Sequence, residues 1–323
     1  MSAILTTAVE RHLLTGHYGR TGATLERVVL ADGTRLVVKR SSAEDDLVTG
    51  LMGESGRTGQ LWASGVLSEM PECVDSAVLD AWPEQGGWVV VMRDVSEGLV
   101  GWDRVLSRSE CRRVLAAAAA LHHRFRDRKP PHLFSIADRT ALFAPARMGS
   151  VANSANPLPT LVLRGWERFA ALAPVDIVEA VRAVHDQPAL LSDALCRYEA
   201  TLIHGDLWPV NVALEPDRVV LLDWDLATWA PPALEVAWWI AGASAHLATS
   251  RELILADFTT LYPDWQQADA LRVALFAGLV DFGWNKALDA TEHPDPAKRA
   301  TEAADLAWWV TRGRQALDAG LIG

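Results

Sequence analysis

Cysteine, tyrosine, long apolar runs and positive charge are all in short supply in this 323-residue chain, and each shortage excludes something. Cys73, Cys111 and Cys196 are odd in number, far apart and in no Cys-x-x-Cys pair. A disulfide framework or cysteine zinc site is therefore not expected; reduced, mostly buried thiols are. The longest apolar run, Val114 to Leu121, is mostly alanine and far below the ~20 residues that span a bilayer. Met1 to Leu14 carries Glu10, Arg11 and His12 and has no apolar core followed by a cleavage site, so it is not a signal peptide. Thirty basic residues against 41 acidic ones give a net charge of −11, unsuited to a phosphate backbone. What remains is a cytoplasmic globular enzyme of one or two domains, with neither nucleic acid nor membrane as partner.

One aromatic type is abundant. Fourteen tryptophans stand against three tyrosines and seven phenylalanines. Most should fill the core, since indole buries much apolar area. Others could line a ligand cleft, where flat rings stack on sugar faces or cations.

The most informative stretch is His204-Gly205-Asp206-Leu207-Trp208-Pro209-Val210-Asn211, followed by Leu221-Leu222-Asp223-Trp224-Asp225. Asp206 and Asn211, five residues apart, fit one tight loop that presents both to a single pocket. The twelve residues to Asp223 fit a hairpin: Val212-Ala213-Leu214, a turn, then an apolar strand. Antiparallel pairing returns Asp223 beside Asn211. Phosphoryl transfer needs a carboxylate facing the attacking hydroxyl, plus an amide oxygen and a second carboxylate that hold Mg²⁺ on the nucleotide. The pattern reads as an ATP- or GTP-dependent kinase site.

These residues resemble the signature of the aminoglycoside phosphotransferase-like kinases, a family that includes choline, homoserine and several sugar kinases. The resemblance implies an α+β, bilobal protein kinase-like fold. A small antiparallel-sheet N-lobe (1–93) would precede a mostly helical C-lobe (94–323) with a helical substrate insert. It implies Asp206 as catalytic base, Asn211 and Asp223 as magnesium ligands, and support from His204, Asp225 and Glu235. Glu235 stands where relatives usually carry an aspartate that anchors the catalytic-loop backbone.

Upstream, 3–14 reads as an amphipathic helix. Thr24 to Ala31 and Thr34 to Arg40 read as a hairpin around Asp32-Gly33. The loop before it, with Gly19, Thr21 and Gly22, would cover the nucleotide phosphates. Lys39 in Val37-Val38-Lys39 would pair the α- and β-phosphates. Arg40 is the competitor, but adjacent strand side chains face opposite ways and Val37 favours the face of Lys39. A following helix should supply an acid for that lysine. Relatives place one just after a Gly-Arg pair, where this chain has Gly56-Arg57-Thr58, and Glu54 is the candidate. Gly53 and Gly56 weaken a continuous helix there. Strands over Ser76 to Trp82 and Gly87 to Asp94 would run into a hinge. Backbone groups near Met92, Arg93 and Val95 would read the base edge, so side chains do not distinguish ATP from GTP.

Asp281-Phe282-Gly283 is a literal match to the protein-kinase magnesium tripeptide, but it lies in a helical stretch with no preceding strand. The metal role is assigned to Asp223 instead. The acceptor is a small-molecule hydroxyl. Tryptophan favours a sugar-like compound, hence an antibiotic O-phosphotransferase. Asp257, Asp264, Asp269, Asp281 and Asp289 favour a cationic, amine-bearing one, hence a metabolic sugar or amino-alcohol kinase. A silent pseudokinase is the rival of another class. A protein kinase is disfavoured because about a dozen residues between Asp223 and Glu235 leave no room for a peptide-docking segment.

Overall fold

The computed structural model describes residues 3–15, 22–42, 46–52, 56–263 and 268–322. It is a mixed α+β chain, with an antiparallel sheet in its N-terminal region and mostly helices beyond. Contacts divide it into two compact units. The first comprises 1–133, 201–228 and 242–261, the second 134–200, 229–241 and 262–323. The lobe boundary expected at residue 93 falls inside the first unit.

The first unit is built on β1 (Ala8–Leu13), β2 (Thr24–Leu30), β3 (Arg35–Ser42), β5 (Val78–Glu84) and β6 (Gly87–Arg93). They form an antiparallel sheet in the order β1-β2-β3-β6-β5. Alternation dictates its faces. Leu36 and Val38 turn inward to meet Val28, Leu30, Val89 and Val91, while Val37 and Lys39 take the other face. The β2–β3 turn behaves as its Asp-Gly signal requires: Gly33 adopts φ +86° and Asp32 Oδ1 accepts the Thr34 amide at 2.9 Å.

The helix expected over 3–14 is not formed. Ala3–Thr7 is a short 3₁₀ turn and Ala8–Leu13 is strand β1. Leu5 enters the sheet's apolar core, and β1 satisfies the open edge of β2, with Arg11 bonding Glu26 at 3.0 Å. Edge pairing outweighs helical propensity in so short a segment. The strand expected from Ser76 begins two residues later, because Ala77 takes φ +59° and turns the chain first.

After β3 come two helices, α1 (Leu47–Met52) and α2 (Arg57–Ala63). Gly56 caps α2 with φ +62°. A Cβ there would lie 2.3 Å from the Trp88 ring, and one on Gly59 would lie 2.1 Å away. The two glycines therefore let α2 sit directly on the β6 indole, where a side chain at either position would collide with the ring.

The alanine-rich α3 (Arg108–Arg124) carries a Ser107/Glu110 capping box. It packs against β7 (Thr201–Ile203), where Thr201 Oγ1 donates to the His122 carbonyl at 2.6 Å. His122 is buried and His123 faces the Leu261 carbonyl, so the pair is structural. β8 (Val212–Leu214) and β9 (Val219–Leu221) form the expected hairpin, extended by β4 (Val74–Asp75) parallel to β9.

The second unit is helical. Ala268–Glu292 is a 25-residue helix packed on Leu158–Leu172 and Pro296–Asp318. Lys286, buried on it, bonds Glu302 at 3.2 Å and Asp305 at 2.8 Å. Asp281 lies within this helix, as its context implied, and is buried. Trp238 Nε1 donates to Asp281 Oδ2 at 2.7 Å, and Arg139 stacks over the Trp238 ring at 4.5 Å. Burial pushes the Asp281 carboxyl up to about 6, against the pull of Arg139 and Trp238. His185 on Val175–Asp186 bonds the Val280 carbonyl at 3.1 Å, and burial brings its imidazole down to about 4.

Of the thirteen described tryptophans, six are buried and the other seven half-buried, so indole does build much of the interior. All three thiols are free, but the expectation of burial fails for two of them: Cys73 and Cys196 are exposed. Both lie at the ends of elements rather than on a packed face. No described helix is long and apolar enough to cross a membrane.

Candidate active site

The site is assembled within the first unit, beginning with the loop after β7. Thr201, Leu202 and Ile203 are fully buried, which fixes where the chain emerges. Gly205 then takes φ +79°, with its missing Cβ only 2.0 Å from the Leu226 carbonyl oxygen. Only glycine fits both the angle and the approach. His204, buried, donates from Nε2 to the Leu222 carbonyl at 2.9 Å and accepts the Asp206 amide on Nδ1 at 3.3 Å. Those two bonds select one tautomer. They also tie the loop carrying Asp206 to the segment that follows β9 and leads into Asp223.

Asn211 closes the loop. Its Nδ2 donates to the Asp206 backbone carbonyl at 3.0 Å and to Asp206 Oδ2 at 2.8 Å. With the nitrogen so engaged, the amide oxygen points elsewhere as an acceptor. The Leu222 amide meets the Asn211 carbonyl at 2.8 Å, so the hairpin returns the chain beside Asn211 immediately before Asp223. Asp223 itself adopts φ +62°, an uncommon left-handed conformation that aspartate tolerates better than most residues.

From β3, Lys39 reaches this segment. Its Nζ lies 2.8 Å from Asp223 Oδ1 and 2.9 Å from Asp225 Oδ2. The lysine side chain is 12% exposed, that of Asp225 24% and that of Asp223 40%. Burial alone would lower the lysine, but the two carboxylates raise it, so it stays an ammonium. Burial would raise Asp225, yet the Lys39 charge and the Thr58 amide hold it well below the usual carboxylate range. Arg40 faces the other way, toward Glu26 and Glu84.

Two residues that the sequence did not single out for the site complete it. The Thr58 amide and hydroxyl both reach Asp225 Oδ1, at 2.9 and 3.0 Å. Arg57 donates to the Asp225 carbonyl at 2.6 Å. The available signal was the neutral Thr58 after Gly56-Arg57, where relatives place an acid, although the sequence pointed to Glu54 instead.

At the expected hinge, the Arg93 amide already serves the Ala77 carbonyl at 2.9 Å and the Asp94 amide the Arg35 carbonyl at 3.2 Å. Those two donors are spent on the protein. The Arg93 side chain bonds Asp75 and Glu215. Met92 and Val95 lie in an apolar cluster with Ala77, Ala213, Val220 and Leu222, adjacent in sequence to Asp223. Gly22 has φ +114°, whereas Gly19, Thr21 and Glu54 lie outside the described residues. Glu235 is buried on the helix Pro232–Ala243 of the second unit.

The acids that favoured an amine-bearing acceptor are committed internally. Asp257 pairs with Arg108, Asp269 with Arg272, Asp281 with Trp238, and Asp289 accepts from Asn285. Asp264 lies outside the described residues. Among the described residues, no group of three or more His, Cys, Asp or Glu side chains could hold a metal by itself.

No curated protein matches the sequence significantly. Solved structures do match in fold. A choline kinase from Streptococcus pneumoniae superposes with a TM-score of 0.56 at 12% identity, over 95% of each chain. An aminoglycoside phosphotransferase from Alicyclobacillus acidocaldarius gives 0.52 at 15% identity, over 98% of this chain and 93% of that one. Another aminoglycoside phosphotransferase, in ternary complex with ADP and hygromycin B, gives 0.52 at 14% identity over 96% of each. The fold is protein kinase-like. A family model described as the phosphotransferase enzyme family matches residues 21–271, a span that contains every candidate site residue except Gly19. The chain belongs to that family and is a phosphotransferase with an alcohol group as acceptor.

Proposed function

We propose that this enzyme transfers the γ-phosphoryl group of a magnesium nucleotide, ATP or GTP, to a hydroxyl of a sugar-like small molecule such as an aminoglycoside or nucleoside antibiotic. The observation that carries the reading is the pairing of two clips in one unit: Asn211 on Asp206, and Lys39 on Asp223. ADP in a structure of the same fold supports a nucleotide donor.

The donor set fits magnesium. The Asn211 amide oxygen and the Asp223 carboxylate are hard oxygens, and two protein ligands leave room for phosphate oxygens and water. Bound there, the cation would neutralise charge on the transferring phosphoryl group. The chain's own groups do the rest. Lys39 supplies a fixed positive charge for the phosphates. Asp206, with Oδ2 held by the Asn211 amide, is positioned by its loop to orient the acceptor hydroxyl and take its proton. His204 acts through position rather than proton transfer, since both ring nitrogens are engaged. The apolar bed of Met92 and Leu222 is suited to the flat face of the base.

The internal pairing of Asp257, Asp269, Asp281 and Asp289 removes the main argument for an amine-bearing acceptor, which leaves the sugar-like one preferred. The test is a transfer assay with ATP and GTP over aminoglycosides, nucleoside antibiotics, hexoses and choline. Turnover is expected on a sugar-bearing acceptor and should fall by about 10²–10⁴-fold in Asp206→Asn. Nucleotide binding without turnover anywhere on the panel would favour the silent module. Turnover on choline alone would move the enzyme to the amino-alcohol kinases.

A further inference from the structure

Lys39 has two carboxylate partners, and the metal reading gives them unequal duties. Asp223 must offer its oxygens to a cation and its side chain is the more exposed. A group shared with a metal is a poor permanent anchor for an ammonium. Asp225 is differently placed. Its Oδ1 takes two bonds from Thr58 and its Oδ2 faces Lys39 at 2.9 Å, so both oxygens are used inside the protein. Its backbone is held as well, by Arg57 on its carbonyl. The Thr58 hydroxyl, donating to Asp225, accepts the Trp224 amide at 3.1 Å, which locks its rotor. Trp224 is fully buried and bonds the Leu221 carbonyl. Thr58 thus links helix α2 to the 223–225 turn through one hydroxyl and one amide.

We infer that Asp225, locked by Thr58, is the positioning residue that holds the Lys39 ammonium in place for the nucleotide phosphates, leaving Asp223 to the metal. The inference rests on the kinase reading and assigns to the 223–225 turn the work for which the helix acid Glu54 was the sequence candidate. It also gives α2 a role in the reaction, because any movement of Thr58 displaces Asp225 and through it the lysine.

The experiment is a double-mutant cycle on Mg·ATP affinity, measured by calorimetry, with kcat and KM for ATP followed in parallel. Asp225→Asn should weaken Mg·ATP binding about 10–100-fold, the scale of one charge-assisted hydrogen bond. In a Lys39→Met background the same change should cost less than about twofold, because the lysine it positions is gone. Thr58→Val should shift affinity in the same direction by several-fold, and Thr58→Ser, which keeps the hydroxyl, should recover most of that loss. Thermal melts accompany each protein. Should Asp225→Asn fail to fold, the Thr58→Val and Thr58→Ser pair in the two Lys39 backgrounds decides the matter. Additive losses from Asp225→Asn and Lys39→Met would overturn the inference, as would stronger coupling of Lys39 to Glu54→Gln. If the unmutated protein binds no Mg·ATP, the kinase reading itself fails, a result distinct from additivity.

Discussion

His204 shows how little of a residue's role lies in its identity and how much in its two bonds. One nitrogen meets the Leu222 carbonyl and the other the Asp206 amide, so the ring staples the loop carrying Asp206 to the segment that follows β9 and leads into Asp223. An edge-on contact with Trp224 at 4.6 Å holds its plane. His204→Phe keeps the ring and removes both bonds. It leaves a buried carbonyl unpaired, at a cost of about 1–3 kcal/mol in stability. Because Asp206 loses its register, kcat should fall about 10–100-fold with a smaller change in KM for the acceptor, as expected for lost positioning. Steady-state kinetics with urea melts read both. A normal kcat in a destabilised protein would show that the staple serves folding alone.

At the scale of elements, the parts legible in the sequence are those whose signal is local. The β2–β3 hairpin was marked by Asp32-Gly33, and the β8–β9 hairpin by two apolar triplets around Glu215-Pro216-Asp217-Arg218. The alanine run of α3 is a local signal of the same kind. What local pattern missed was decided by neighbours far away in sequence. β1 exists because β2 had an edge to fill. α2 can sit on Trp88 because Gly56 and Gly59 leave room for its ring. The site follows the same rule. Asp206, Asn211 and Asp223 are close in sequence and could be placed by spacing. Thr58 meets Asp225 from 167 residues away, through the fold of α2 against the 223–225 turn, and no window of sequence displays that contact.

Over the whole chain, individual buried groups titrate in opposite senses. Asp281 is one of them, buried and with its carboxyl raised to about 6. In the unfolded chain it titrates near 4, so the folded state binds its proton more tightly. Its contribution to stability is therefore greatest below about pH 4 and is lost as pH rises toward 6. The span of about two pKa units is on the order of 3 kcal/mol. His185 works in the opposite sense. Held neutral down to about 4, it lets the unfolded state take up protons first, and its contribution falls as pH drops from 6.5 toward 4. The two offset one another in the native protein. In Asp281→Asn the histidine acts alone, so denaturant midpoints should drop more steeply between pH 6 and pH 4 than in the parent. Equal slopes would mean that the Asp281 carboxyl is not raised.

The account stands on a lysine, an amide and a carboxylate holding one metal–nucleotide complex, and ATP affinity measured with and without Mg²⁺ addresses that directly. Magnesium should tighten binding to the parent protein by about tenfold or more, on the order of 1.4 kcal/mol. The gain should vanish in Asp223→Asn, while metal-free ATP still binds through Lys39. An equal magnesium effect in both proteins, or no nucleotide binding by either, would contradict the account.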